Sequence, residues 1–66
     1  MNEDIFKGKW KELKGRVKEK WGDLTDDDVT AVEGKKEKLV GILQVKYGYS
    51  KDEAQEEYNK FMDDNK

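Results

Sequence analysis

The chain has 66 residues, of which 45% are charged and 33% hydrophobic, with a formal net charge of −2 and a mean hydropathy of −1.22. It contains no cysteine and no histidine, which excludes disulfides, thiol chemistry and imidazole-based catalysis or metal ligation. A core this small also has little room for a pocket that raises the pKa of a catalytic carboxyl group. We therefore expect a non-enzymatic domain with no catalytic residues, no cofactor and no metal.

The apolar runs of the chain are short. None is long enough for a membrane-spanning helix or for the core of a signal peptide. The first residues include Glu3 and Asp4, which are unusual in an export signal. We expect a cytoplasmic protein without a transmembrane segment.

The first predicted helix carries an apolar stripe with spacings of four, three, four and four residues. The members of this stripe are Phe6, Trp10, Leu13, Val17 and Trp21. At about 100° per residue they lie on one side of a helix. Gly22 follows a lysine-rich turn, where a left-handed glycine commonly ends a helix. We predict one unbroken helix up to Trp21, with Gly22 as its C-cap.

A short second helix is predicted over residues 26–33. Thr25 with three following aspartates resembles a capping-box start, because the Thr25 hydroxyl can accept from the backbone N–H near Asp28. Carboxylates in the first turn also interact favourably with the helix dipole. We expect this helix to bury Val29 and Val32, and we expect Leu24 to fold back onto the first stripe.

Two further helices complete the prediction. Residues 35–47 form a third helix that ends at Gly48, and its inward side chains are Leu39, Ile42, Leu43 and Tyr47. Ser50 and Glu53 have the spacing of a full capping box. They open a fourth helix, whose inward side chains are Ala54, Tyr58, Phe61 and Met62.

A pattern of about 20 residues occurs twice, offset by 26 positions. Gly8, Leu13, Gly15, Val17 and Trp21 in the first copy correspond to Gly34, Leu39, Gly41, Leu43 and Tyr47 in the second. One helical hairpin cannot bury its own apolar stripe, whereas two hairpins can bury theirs against each other. We predict an all-α fold of four short helices, arranged as two packed helical hairpins in a small orthogonal bundle. Residues 1–66 form one domain with frayed ends at about 1–3 and 63–66.

One candidate interaction surface lies on the first predicted helix, where four lysines line one flank of the aromatic stripe. These are Lys7, Lys11, Lys14 and Lys18. Basic residues beside tryptophans suit an anionic membrane surface or single-stranded nucleic acid. We favour the alternative in which the tryptophans belong to the core and the lysine stems cover them. Because the chain is acidic overall, we expect no specific nucleic-acid partner.

Three glycines add to this candidate surface. Gly8, Gly15 and Gly41 lie opposite the apolar stripes of their helices, and each costs about 1 kcal/mol relative to alanine. Because glycine has no side chain, an unidentified protein partner or a second copy could approach the helix backbone closely at these positions. We favour the simpler interpretation that they keep the fold marginally stable, and we expect a monomer.

The run Asp26–Asp28 could suggest a divalent cation site. Counted from Asp23, an EF-hand loop would need glycine at Asp28 and glutamate at Gly34, so the pattern fails. Helix capping explains the run better.

Several strings of this sequence closely resemble the bacterial CsbD-like proteins, over about residues 1–60. The strings are Gly8 to Asp28, Glu33-Gly34-Lys35, Leu39-Val40-Gly41, Gln44 and Tyr47-Gly48-Tyr49. The resemblance implies a small cytoplasmic protein of the bacterial general stress response, folded as two packed helical hairpins. It implies no catalytic residue, because the family has no established biochemical activity.

The leading functional prediction is a non-enzymatic stress protein that protects other proteins, since its high hydrophilicity and six glycines resemble the hydrophilins. A second hypothesis is an adaptor that docks a protein partner through the glycine-backed or Trp/Lys helix surface. A third is weak binding to an anionic membrane or to nucleic acid, which salt would suppress.

Overall fold

The chain folds into five α-helices in a computed structural model that describes residues 2–65. They are α1 (Asn2–Gly8), α2 (Trp10–Lys20), α3 (Asp26–Val32), α4 (Lys36–Tyr47) and α5 (Lys51–Asp64). Residues 2–65 contain no strand, so the predicted all-helical class is confirmed. Met1 and Lys66, part of the ends expected to fray, lie outside the described residues.

The prediction of four helices was wrong, because the first predicted helix is broken at Lys9. The Lys9 N–H closes α1 on the Ile5 carbonyl at 2.8 Å, and the Lys9 carbonyl accepts from Leu13 at 2.9 Å to open α2. Glycine has low helix propensity, so a break next to Gly8 costs little. The α3–α4 connection packs against this joint: a Cβ built on Gly34 would lie 3.0 Å from the Trp10 Cβ.

The 26-residue repeat is visible in the helix boundaries. α2 begins one residue after Lys9, and α4 begins one residue after Lys35. Both lysines are N-caps that make no side-chain hydrogen bond to their helix. The Gly8-Lys9 joint therefore corresponds to the Gly34-Lys35 junction, where the sequence does predict a break.

Both predicted capping boxes are present. The Asp28 N–H donates to the Thr25 hydroxyl at 3.1 Å, while the Asp28 carboxylate accepts from the Thr25 N–H at 3.0 Å. Ser50 and Glu53 make the same reciprocal pair at 3.1 and 2.9 Å. Each box satisfies two donors that a helix start otherwise leaves without partners.

Left-handed backbone ends α4 as predicted, but it does not end α2. Gly48 is the C-cap of α4 with φ 69°. Gly22 has no positive φ, so its predicted role as a left-handed C-cap was wrong. The chain leaves α2 through a turn instead, in which the Leu24 N–H donates to the Trp21 carbonyl at 3.0 Å. This turn returns Leu24 to the core, where it is buried.

The core consists of apolar side chains from all five helices and from the turn after α2. Its buried members are Phe6, Leu13, Val17, Trp21, Leu24, Val29, Val32, Leu39, Val40, Leu43, Ala54, Tyr58, Phe61 and Met62. The predicted inward positions are confirmed except for Trp10, Ile42 and Tyr47, which are only partly buried. Val40 is buried although the sequence analysis did not assign it.

α4 lies at the centre of the fold, where it packs against α1, α3 and α5. The Phe6 ring of α1 meets the Tyr58 ring of α5 edge to face at 5.2 Å. At the C-terminal end of α4, the Tyr47 hydroxyl accepts a hydrogen bond from the Asp23 N–H at 3.3 Å. α1 and the α2–α3 turn are thus both tied to the second half of the chain.

Candidate interaction surfaces

Six of the seven predicted surface residues lie on α1 and α2, and all six are exposed. They are Lys7, Gly8, Lys11, Lys14, Gly15 and Lys18. We call Lys7, Lys11, Lys14 and Lys18 the basic face. The spacing of the three lysines in α2 keeps them on one side of that helix. The structure places these residues at the surface, and their role in binding stays a prediction.

Among the described residues, one lysine of the basic face forms an ion pair within the molecule. Lys18 forms an ion pair with Asp26 in the first turn of α3, and both side chains are exposed. An exposed pair of this kind contributes only about 0 to 1 kcal/mol. It connects α2 to the start of α3, and a competing anion could displace it.

The tryptophans belong mainly to the interior. Trp21 is 3% exposed, and its ring centroid lies 5.2 Å from that of Phe61. Trp10 is half-buried and meets Phe6 edge to face at 5.2 Å. An interfacial membrane helix and a base-stacking surface both need accessible rings. The preference for core packing is therefore confirmed for Trp21 and, in part, for Trp10.

The seventh predicted residue, Gly41, lies on a different surface. It lines an open groove of about 350 Å³ between α3 and α4, together with Asp28, Ala31, Lys38, Ile42, Val45 and Lys46. We call it the α3–α4 groove. Ala31, Gly41, Ile42 and Val45 give it an apolar floor, and Val45 is 82% exposed. None of the other six predicted residues lines this groove.

The three predicted surface glycines share one property. A Cβ built on Gly8, Gly15 or Gly41 would meet no atom within 4 Å. Packing within this molecule therefore does not require glycine at these three positions. Gly34 is different, because its Cβ would also lie 3.1 Å from the Lys7 Cα.

Sequence reasoning missed the α3–α4 groove, although the repeat contains a signal for it. Val45 and Ile42 correspond, 26 positions earlier, to Glu19 and Arg16. An apolar stripe with period 3.6 assigns only one face of a helix to the core. With Ile42 and Val45, the apolar stripe of α4 is wider than the apolar stripe of α2. The extra width indicates an apolar face on the outside of α4.

The acidic run after Thr25 is used for capping and for ion pairs. Hydrogen bonds from the Thr25 backbone and then from Lys46 hold the pKa of Asp28 below its ordinary value. The Lys46 ammonium lies 3.2 Å from the Asp28 carboxylate. Within residues 2–65, no three acidic side chains are grouped as ligands for a metal ion.

A second cleft, of about 560 Å³, lies between the C-terminal ends of α2 and α5. Its lining is mostly charged or polar: Arg16, Glu19, Lys20, Phe61, Asp64 and Asn65. The Arg16 Nη1 donates to the Asn65 Oδ1 at 2.7 Å. This bond joins the two helix ends across the cleft.

Where a pKa is clearly displaced from its ordinary value, it is displaced away from pH 7. Burial, with a smaller contribution from nearby Glu3, raises the pKa of Tyr58 to about 12. Hydrogen bonds from the Ser50 backbone and hydroxyl lower the pKa of Glu53. Among these groups, none has the near-neutral pKa that suits a general acid or base.

Comparison with known proteins identifies several close relatives. This chain is 57% identical over 63 residues to the UPF0337 protein PA4738 of Pseudomonas aeruginosa, covering 96% of this chain and 97% of that protein. It is 58% identical over 57 residues to the UPF0337 protein YjbJ of Escherichia coli K12, covering 86% of this chain and 83% of that protein. It is 52% identical over 63 residues to the UPF0337 protein pc0632 of Protochlamydia amoebophila, covering 96% of each chain.

Two further findings complete the comparison. No solved structure matches this chain. Across residues 2–65, no helix is both long enough and apolar enough to cross a membrane. The family model described as CsbD-like matches residues 4–56, a span that runs from within α1 through α2, α3 and α4 to the capping box and first turn of α5. The chain therefore belongs to the CsbD-like family.

Proposed function

We propose that this protein is a non-enzymatic stress-response protein of the cytoplasm that protects other proteins during water loss, in the manner of the hydrophilins. The proposal treats α2–α3 and α4–α5 as two helical hairpins, packed as a small orthogonal bundle and preceded by α1. The observation that carries it is the separation of charge from core. Of the 66 residues 45% are charged, yet none of the buried side chains among the described residues carries a charge.

This separation supports a protective role for a physical reason. A surface of charged side chains holds water strongly and resists non-specific association. When water is lost, such a surface can offer ionic and hydrogen-bonding groups to neighbouring proteins while its own core stays closed. The small core and exposed ion pairs also support an activity that resides in the surface rather than in a pocket.

The test is protection of a labile dehydrogenase during drying. The enzyme is dried alone, with this protein, and with an equal mass of a folded protein of ordinary composition, and its activity is measured after rehydration. We expect higher recovered activity with this protein than with the equal mass of the control. Equal recovery in the two mixtures would count against a protective function.

A second function is favoured by the basic face. Its four lysines lie beside the exposed Gly8 and Gly15, which supports an adaptor that docks an acidic partner on α1 and α2. Charge reversal of Lys11 and Lys14 should abolish capture of such a partner from stressed cells, whereas reversal of Lys51 and Lys60 on α5 should not. Weak binding to anionic lipid or nucleic acid is tested separately, with anionic vesicles and single-stranded DNA as probes, and it should appear at low salt and collapse at physiological salt.

A further inference from the structure

We propose that the α3–α4 groove binds the same groove of a second copy of this chain. In the resulting two-fold dimer, Val45 of each copy fills the hollow above Gly41 of the other. The proposal concerns self-association and is independent of the protective function. For the oligomeric state, it takes the place of the monomer expected from the sequence.

The first step is the exposure of the groove. Among the described residues, two large hydrophobic side chains are exposed: Ile5 at 47% and Val45 at 82%. Val45 lies one helical turn from Gly41, above which a Cβ would meet no atom within 4 Å. The groove thus presents a projecting side chain and an adjacent empty position on one face of α4.

The second step uses the repeat as an internal comparison. The face of α2 that corresponds to the groove carries Arg16 and Glu19, which are both exposed. The hairpin is therefore formed in the first repeat with charged residues where α4 has Ile42 and Val45. Ile42 packs in part against the core, so folding accounts for much of its apolar surface. Folding does not account for the exposed Val45 beside it, whereas contact with another surface does.

The third step is charge, which selects a second copy as the occupant. Lys46 and Asp28 pair at 3.2 Å at one end of the groove, and Lys38 pairs with Glu33 at 3.2 Å at the other. Each end thus offers one cation and one anion, so a strongly acidic or basic partner gains little there. An identical groove offers both signs in return, and a net charge of −2 opposes association only weakly.

The fourth step is the arrangement. In an isologous dimer, if residue i contacts residue j then j contacts i. A two-fold axis midway between Gly41 and Val45 sets the two α4 helices antiparallel and places each valine over the glycine of the other copy. The same axis brings the Lys46–Asp28 end of one groove toward the Lys38–Glu33 end of its mate.

The size of the groove indicates a weak dimer. Stable protein interfaces bury about 1,200 to 2,000 Å² in total, and a face built from Ala31 of α3 and three residues of α4 falls below this range. We expect a dissociation constant of about 0.1 to 1 mM. Association should therefore depend on protein concentration.

The test is the weight-average mass by sedimentation equilibrium, from about 20 µM to about 1 mM, a range that brackets the expected dissociation constant. With increasing concentration, the weight-average mass of the wild type should rise from 7.8 kDa toward twice that value. Val45→Glu, which installs the residue of the first repeat, should stay at the monomer mass. Ile5→Glu changes the charge equally at the other exposed hydrophobic position, and it should associate as the wild type does. Circular dichroism checks that each variant is folded.

A second variant tests the hollow itself. Gly41→Ala should keep the fold and raise the dimer dissociation constant, while Gly15→Ala at the corresponding position of α2 should leave it unchanged. In a mixed sample of ¹³C-labelled and unlabelled copies, nuclear Overhauser effects should join the Val45 methyl groups to the Gly41 Hα of the other copy. A constant mass of 7.8 kDa for the wild type would overturn the proposal and leave the groove to a different protein. Equal association of Val45→Glu and wild type would overturn it as well.

Discussion

Gly34 and Gly48 have the same left-handed backbone but different surroundings. Their φ angles are 73° and 69°. A Cβ on Gly34 would lie within 3.2 Å of Lys7 and Trp10 atoms, whereas one on Gly48 would meet nothing within 4 Å. Gly34 therefore serves two purposes, a backbone conformation and a close contact between the α3–α4 connection and the α1–α2 joint.

Alanine substitutions at Gly34 and Gly48 separate the cost of backbone strain from the cost of steric crowding. Gly48→Ala should cost about 1 to 2 kcal/mol, the penalty of a left-handed alanine. Gly34→Ala should cost about 2 to 4 kcal/mol, because overpacking against atoms that cannot easily move adds to that penalty. The measurement is urea unfolding followed by circular dichroism. Equal losses of stability in the two variants would show that the contact with Trp10 is unimportant.

Gly15 and Gly41 should respond in the opposite direction. Each lies inside a helix in open space, so alanine should raise the free energy of unfolding by about 0.5 to 1 kcal/mol. Thermal unfolding of both variants measures this gain. A loss of stability in either one would reveal a contact that the fold does not account for.

At the scale of helices, the starts of α3 and α5 could be predicted and the break between α1 and α2 was not. Capping boxes are local, so the spacing of Thr25 and Asp28 is sufficient to predict one. The break at Lys9 lies where Gly34, which is distant in sequence, packs against Trp10 and Lys7. Only the repeat, which pairs Gly8 with Gly34, contained a signal for it.

The capping box of α5 gives a pH-dependent prediction. Because the folded chain lowers the pKa of Glu53, the carboxylate contributes stability above its unfolded pKa of about 4.3, and this contribution is lost as pH falls through the lower folded pKa. Glu53→Gln should therefore melt at a lower temperature than the wild type at pH 7.

The melting difference between Glu53→Gln and wild type should shrink as the pH falls from 7 toward 2, because protonation of Glu53 removes the charge that distinguishes the two side chains. Glu56→Gln, an exposed change on α5 outside the capping box, serves as the control and should shift the melting temperature less at pH 7. A difference between wild type and Glu53→Gln that is the same at both pH values would contradict the role of the charge.

At the scale of the whole molecule, the sequence predicts the interior better than the surface. Leu13, Val17, Leu39 and Leu43 are buried as their helical period predicts, because burial imposes that period on a helix. The helical period leaves Val45 off the inward face of α4, and its counterpart in the first repeat is the charged Glu19. The groove beside Val45 depends on how α3 packs against α4, which only the folded chain shows.

The central claim is that this charged chain acts as a folded helical domain. A two-dimensional ¹H–¹⁵N NMR spectrum recorded with thermal unfolding tests it most directly, because it reports on every backbone amide and on both indole groups. The account predicts dispersed amide signals, a cooperative transition and a Trp21 indole that exchanges with water more slowly than the half-buried Trp10 indole. A collapsed spectrum without a cooperative transition would contradict it, and any protective activity would then belong to a disordered chain.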